Sequence, residues 1–257
     1  MTQTERRAFL IRSLLGESPE YRDISVPGNQ EEQKNLLRGL MNVRPAAPIS
    51  AQFQRIQDEY LREETERKGI VPIADLKPVQ KGLYLWRGDI TRLKCGAIVN
   101  AANSGMTGCY QPCHSCIDNC IHTYAGIQLR NVCNELMEQQ GYPEPTGQAK
   151  ITPAFNLPCD YVIHTVGPIV NVPLTQRHKE QLASCYRSCL ALADENQVSS
   201  IAFCCISTGV FHFPNEEAAK IAVETVKTYR VETGSEIEVI FNVFQELDEE
   251  IYQNLLG

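Results

Sequence analysis

The sequence predicts an α/β fold: a three-layer α/β/α sandwich around a mixed, largely parallel sheet, preceded by a helical extension. Two observations carry this expectation. From residue 70 onward, short apolar runs alternate with amphipathic helical stretches, the pattern of strand–helix–strand units. Residues 1–69 show helical periodicity and no strand signal. The chain therefore divides into a helical N-terminal extension, 1–69, and an α/β domain, 70–257. A third observation locates the chemistry. Asn100 to Gly126 reads as a strand end, a loop and a helix start, and it crowds together Cys109, Cys113, His114, Cys116, Cys120 and His122.

In order along the chain, residues 1–16 place Phe9, Leu10, Leu14 and Leu15 at helical spacing, and Gly16 and Pro19 close the segment. After the turn Pro27-Gly28-Asn29, residues 30–43 form a second helix: acids first, then Leu36, Leu37, Leu40 and Met41. Pro45 and Pro48 interrupt. Ser50 is placed to cap the third helix, whose stripe is Phe53, Ile56, Tyr60 and Leu61, and Gly69 to end it. These stripes call for burial, so the extension reads as a helical cap on the α/β domain. Strands or near-strands are expected at 70–76, 83–90, 97–102, 161–167, 200–207 and 236–244. Helices are expected at 115–140, 175–196, 214–230 and 247–255. In such sheets ligands bind beyond the carboxyl ends of the strands. That rule singles out the loops after 97–102 and after 200–207.

Composition bounds the function. At 257 residues and 43% hydrophobic, the chain has material for a real core. A net charge of −7 excludes a bare nucleic-acid backbone as partner, though not a nucleotide held by backbone amides. The first apolar run, FLIRSLLG, is short and broken by Arg12 and Ser13, so it reads as an amphipathic helix rather than a secretory signal. No window approaches the roughly 18 apolar residues of a membrane span. The expectation is a cytoplasmic protein without membrane attachment, with its eleven cysteines reduced.

Soft ligands at this density suggest a metal. Cys113-x-x-Cys116 is half of a zinc ribbon with no second half. Cys204 and Cys205, read as strand neighbours, would point to opposite faces. A closed four-cysteine site is therefore not expected, whereas three ligands from one loop would leave a coordination position open, the catalytic pattern. Spacing does not choose among Cys109, Cys113, Cys116, Cys120, His114 and His122. Asp118 would either support the loop and helix or serve as a general base toward a water. Cys120 reads as a small packed hydrophobe, His122 as a helix-surface or supporting residue, and His164 as a satisfied core histidine. Cys185 and Cys189, four apart on one helix face, read as core.

Four pieces recur in a meaningful order: Gly88-Asp89-Ile90-Thr91, Asn100-Ala101-Ala102-Asn103, Tyr161 to Pro168, and Ser207-Thr208-Gly209-Val210-Phe211. In this order they resemble the macrodomain, an ADP-ribose-binding fold, over about residues 70–257. By that resemblance Asp89 would accept a hydrogen bond from the adenine amino group and the Ile90 backbone would contact the ring. Asn103 would face the distal ribose. Ser207, Thr208, Gly209, Val210 and Phe211 would wrap the diphosphate. Where most members carry a glycine-rich loop, residues 108–126 are similar to the signature GCxxPxHxCIDNxIHxxAG of zinc-containing macrodomains of bacteria and fungi, matching every fixed position. The resemblance implies Zn2+ bound by Cys109, His114 and Cys116, with Asn103 and Asp118 at the reacting end. It implies a hydrolase that removes mono-ADP-ribose from protein side chains, or alternatively a non-catalytic ADP-ribose reader with a structural zinc. Some members are found beside a sirtuin-type ADP-ribosyltransferase and a lipoyl-carrier protein of the glycine-cleavage H type, so an ADP-ribosylated carrier protein is the implied partner.

Overall fold

A computed structural model describes residues 1–257 apart from Arg22 and Val172. Three helices come first: α1 (Gln3–Glu17), α2 (Gln30–Val43) and α3 (Ala51–Lys68). The Thr2 hydroxyl accepts from the Glu5 N–H while the Glu5 carboxylate accepts from the Thr2 N–H, a capping box. Ser50 caps α3 by accepting from the Phe53 N–H, and Gly69 closes it, both as the sequence predicts. The predicted stripes meet in a small core of their own, with Leu10, Leu40, Ile56 and Leu61 among its members and Ile127 joining from the α/β part.

The chain then makes β1 (Val71–Pro72), β2 (Pro78–Gln80), β3 (Leu83–Arg87), β4 (Leu93–Lys94) and β5 (Ala97–Ala102). After a long loop come α4 (Ile117–Ala125), α5 (Ile127–Gln140), β6 (Ala149–Pro153), β7 (Tyr161–Val166), α6 (Gln176–Glu195), β8 (Ser200–Phe203), α7 (Asn215–Thr233), β9 (Glu238–Val243) and α8 (Glu246–Leu256). The main sheet has the order β2-β3-β9-β8-β5-β7-β6. Its inner pairs are parallel, and only the edge pairs β2–β3 and β6–β7 are antiparallel. β1 and β4 form a separate two-stranded parallel ladder. Helices flank the sheet: α6, α7 and α8 pack side by side, α4 and α5 lie against β5 and β6, and α2 and α3 build outward from α4. The mixed, largely parallel sandwich with helices ahead of it is as the sequence predicts.

Three local expectations are corrected, and one edge strand is added to them. The helix expected over 115–140 is two helices, because Gly126 sits at φ +97°. A Cβ there would lie 2.6–2.7 Å from the Gln128 and Gln57 amide groups, so only glycine lets the chain turn at this point. The strand expected at 200–207 stops at Phe203, which leaves Cys204 and Cys205 outside the ladder. The strand expected at 70–76 shrinks to β1 followed by a 3-10 turn, Ile73–Asp75. The edge strand β6 has no counterpart among the expected strands, since AKITP carries only a weak apolar alternation.

Residues 97–99 of β5 and 162–163 of β7 are fully buried, and their register places Asn100 opposite His164. Both ring nitrogens of His164 are engaged, Nδ1 at 3.1 Å from Asn100 Nδ2 and Nε2 at 2.9 Å from Thr152 Oγ1, so the residue is the satisfied core histidine the sequence suggests. Burial pushes its pKa down to about 3. The unfolded chain therefore takes up a proton on His164 below about pH 6.5, while the native state does not do so until pH is near 3. Native stability should accordingly fall as pH is lowered from 6.5 toward 3, by up to about 1.4 kcal/mol per pH unit from this group. Urea denaturation at pH 7, 6 and 5 checks this, and His164→Gln should flatten the slope.

Candidate active site

Four carboxyl-end loops of the sheet surround one cleft of about 850 Å³. They are the turn after β3, the segment between β5 and α4, the turn after β8, and the turn after β9 with Phe244 and Gln245. The sequence-predicted residues Asp89, Ile90, Asn103, Cys109, His114, Cys116, Asp118 and Ser207 to Phe211 all line it.

At the β3 end, Asp89 caps a 3-10 turn: its Oδ1 accepts from the Thr91 N–H and hydroxyl. Its Oδ2 faces Lys68 Nζ at 3.7 Å. That ammonium also sits 3.3 Å over the Tyr124 ring, so the end of α3 reaches this part of the cleft. Nothing in the sequence marks Lys68, which closes a helix with an ordinary basic residue.

The turn after β8 begins at Ser207, whose φ of +67° is left-handed, and it is buttressed by bonds from the Phe213 N–H to the Ser207 carbonyl and from the His212 N–H to the Gly209 carbonyl. Among the described residues, the N–H groups of Thr208, Gly209 and Val210 donate to no acceptor of the chain. They form a cradle of free donors just before the N-terminus of α7, an arrangement suited to an anion.

The segment between β5 and α4 carries the clustered sulfurs and imidazole. Cys109 Sγ lies 3.6 Å from His114 Nδ1, and with the Cys116 sulfur the three ligand atoms all fall within 4.8 Å of one another. Tetrahedral zinc with these ligands needs separations of roughly 3.5–3.8 Å, so the residues fit that ion with little movement. Cys116 is also the N-cap of α4, its sulfur accepting from the Asn119 N–H at 3.4 Å. Burial, and then the neighbouring Cys109 sulfur and Asp118, push the Cys116 thiol up to about 12. A divalent cation is the kind of group that reverses such a shift. Cys113 stands apart, exposed, its sulfur donating to the Asn35 carbonyl. Cys120 lines the cleft rather than packing in the core, with Arg38 Nη2 3.5 Å from its sulfur.

Asp118 is 5% exposed and turns both oxygens to asparagines: Oδ1 accepts from Asn100 Nδ2 at 2.8 Å and Oδ2 from Asn103 Nδ2 at 3.2 Å. Burial raises its pKa to about 6 against the opposing influence of Asn100, Arg130 and Asn103. Behind it, His122 Nε2 is 3.6 Å from Asp118 Oδ1. Burial, with His164 and Arg130 nearby, drives the His122 pKa well down, so the ring is neutral. It is buried, with neither ring nitrogen hydrogen-bonded among the described residues, and not the helix-surface residue that its sequence position also allows.

The loop itself is held by side chains that sequence reasoning missed. Asn119 Nδ2 donates to the carbonyls of Cys109 and Gln111. Arg130 Nε donates to the Thr107 carbonyl at 2.7 Å while its guanidinium stacks on Tyr110. Its Nη1 donates to the carbonyls of Met41, Asn42 and Arg44 at the end of α2. Asn119 lies within the signature, whereas Arg130 carries no signal beyond being a charged residue on a helix.

The fold is shared with known proteins. A Macro domain family model matches residues 99–222. The chain is 60% identical over 261 residues to a protein-ADP-ribose hydrolase of Treponema medium, an alignment covering 100% of both chains. Among solved structures it is similar to the Oceanobacillus iheyensis macrodomain with ADP, at 38% identity and a TM-score of 0.63, covering 70% of this chain and 93% of that one. It is similar too to the Trypanosoma brucei macrodomain in complex with ADP-ribose, at 31% identity and a TM-score of 0.66, covering 82% and 93%.

Gly108 gives a direct test of how tightly the loop is built. Its φ is +85°, and a Cβ would lie 2.7 Å from the His122 ring. Gly108→Ala should therefore cost about 1–3 kcal/mol of stability, measured as a lower urea midpoint with an unchanged m-value.

Proposed function

The chain belongs to the macrodomain family, among the protein-ADP-ribose hydrolases, and from that premise we propose that it removes mono-ADP-ribose from modified protein side chains with a zinc ion held by Cys109, His114 and Cys116. The observation that carries this reading is the meeting of that ligand triangle with Asn103 and Asp118 along one cleft. Only three ligand atoms come together there among the described residues. This supports a site with an open coordination position over the reader alternative, whose structural zinc calls for a fourth protein ligand.

ADP-ribose would lie along the cleft with its adenine at Asp89 and Ile90. Its diphosphate would rest on the free N–H groups of Thr208, Gly209 and Val210 within the Ser207 to Phe211 turn, and its distal ribose would reach Asn103. The N–H cradle fixes the phosphates without cationic side chains, which suits a protein of net charge −7. Holding the diphosphate fixes the anomeric carbon and supplies much of the barrier reduction through positioning. The bond from the anomeric carbon to the protein side chain breaks with oxocarbenium character, the side chain departing with the bonding electron pair, and water adds at that carbon. Asp118, buried and oriented by Asn100 and Asn103, accepts a proton from the water. Asn103 aligns that carboxylate and the ribose. A bound zinc would supply Lewis acidity, toward either the water or a ribose hydroxyl.

The modified protein itself is proposed from the resemblance: a lipoyl-carrier protein of the glycine-cleavage H type, ADP-ribosylated by a sirtuin-type transferase. Among the described residues no helix is long and apolar enough to cross a membrane; the resemblance to partners of such carriers is what leads us to place the reaction in the cytoplasm.

The test is release of ADP-ribose from a mono-ADP-ribosylated protein, followed alongside metal content. The native chain should turn over. Asp118→Ala and Asn103→Ala should lose about 10²-fold or more, with zinc retained in both. His114→Ala or Cys116→Ala should lose both zinc and turnover. Full activity in a chelated, zinc-free protein would remove the metal from the mechanism.

A further inference from the structure

The back of the ligand loop rests on α2. Arg38 Nη2 donates to the His114 carbonyl at 2.7 Å and to Asn119 Oδ1 at 2.9 Å. One helical turn later on the same face, Asn42 is 1% exposed and uses both ends of its amide. Its Oδ1 accepts from the Cys113 N–H and its Nδ2 donates to Thr123 Oγ1, each at 2.9 Å. Between them sits Gly39, where a Cβ would be 3.7 Å from Pro112 and 3.9 Å from the Cys113 sulfur, so helix and loop are in direct contact.

These contacts converge on the residues that aim His114. Cys113 has a φ of +55°, a left-handed conformation that a residue with a side chain rarely adopts. That turn points the following imidazole back toward Cys109 and Cys116. Asn42 holds the N–H on one side of the turn, and Arg38 holds the carbonyl on the other. Neither side chain is among the three clustered ligands: Asn42 acts on the Cys113 backbone, and Arg38 on the His114 carbonyl and the Asn119 side chain.

We propose that Arg38 and Asn42, residues of the N-terminal helical layer, are positioning residues for His114 and thereby set the affinity of the metal site. This rests on the zinc reading above. It gives the extension a role in the chemistry: the layer that precedes the sheet completes the back wall of the ligand loop. A supporting partner behind a metal ligand typically controls 10- to 100-fold in metal affinity.

The experiment is zinc affinity of the full chain by competition with a chromophoric chelator, with binding of free ADP-ribose and a denaturation midpoint measured on the same samples. Arg38→Met keeps the aliphatic stem and removes every donor; it and Asn42→Ala should each weaken zinc binding about 10- to 100-fold. The ADP-ribose affinity of Asn42→Ala, whose residue does not line the cleft, should change far less. Arg38→Lys, which retains a charged donor, should recover part of the loss, and excess zinc should restore turnover in all three. If Arg38→Met does not fold, Arg38→Lys and Asn42→Ala carry the same comparison. Native-like zinc affinity in folded variants overturns the positioning role while leaving the zinc reading intact. A native chain that takes up no zinc overturns the zinc reading itself and the positioning role with it.

Discussion

The segment from Asn103 to Cys116 leaves the sheet and has not yet entered α4, so its backbone polar groups have no ladder and no helix to satisfy them. Buried peptide groups without partners are costly, and this is the constraint around which the site is organised. Side chains from three directions answer it. Asn119 takes two carbonyls from within α4, Arg130 takes one from α5, and α2 contributes Arg38 and Asn42. Pinned in this way, the loop brings the Cys109 sulfur and the His114 imidazole to the Cys116 sulfur, which the N-terminus of α4 holds.

The same economy governs charge. Asp118, His122 and His164 form a buried row beneath the cleft, and the two histidines are held neutral by desolvation. The carboxylate is met by amide donors from Asn100 and Asn103 rather than by a cation. A carboxylate treated in this manner keeps its affinity for a proton closer to neutrality than an exposed one does. Across the cleft, the turn after β8 offers anion contacts through backbone N–H groups, again without a cationic side chain in its 207–211 stretch. An acidic protein can in this way bind a doubly charged diphosphate locally while repelling polyanions globally.

Much of the fold and of the site is legible in the chain. Period-3.6 stripes mark α1 to α3, with their caps at Ser50 and Gly69, because capping and amphipathicity are local physics. The apolar runs of β5, β7 and β8 are visible because a strand buried on both faces must be apolar. The ligand triplet comes from a family signature, since six candidate ligands within one window are not ranked by spacing; in the fold Cys113 is turned away by its own left-handed backbone. What is not legible depends on contacts distant in sequence. Gly126 looks like any mid-helix glycine until Gln57 and Gln128 close around it. The edge strand β6 needs β7 as its template. Arg38 and Asn42 are two polar residues on an amphipathic helix, and nothing about that helix says which loop its polar face will meet.

The seam between the N-terminal helices and the rest of the chain is built largely of amides. Gln57, fully buried, donates to Gln128 and accepts from the Ile127 N–H; Asp58 accepts from both Gln128 and Asn156; and Asn131 exchanges two bonds with the Ala47 backbone. An oily seam tolerates sliding and one-sided substitution, because apolar contact has no direction. A seam of directional bonds does not. Its two halves form a single unit of inheritance: a change at residue 57 or 58 leaves a buried donor or acceptor orphaned on the other side unless residue 128 or 156 changes with it. The extension and the helices that it packs on are therefore bound to diverge together, in pairs of compensating substitutions, and could not be exchanged piecemeal between two such proteins.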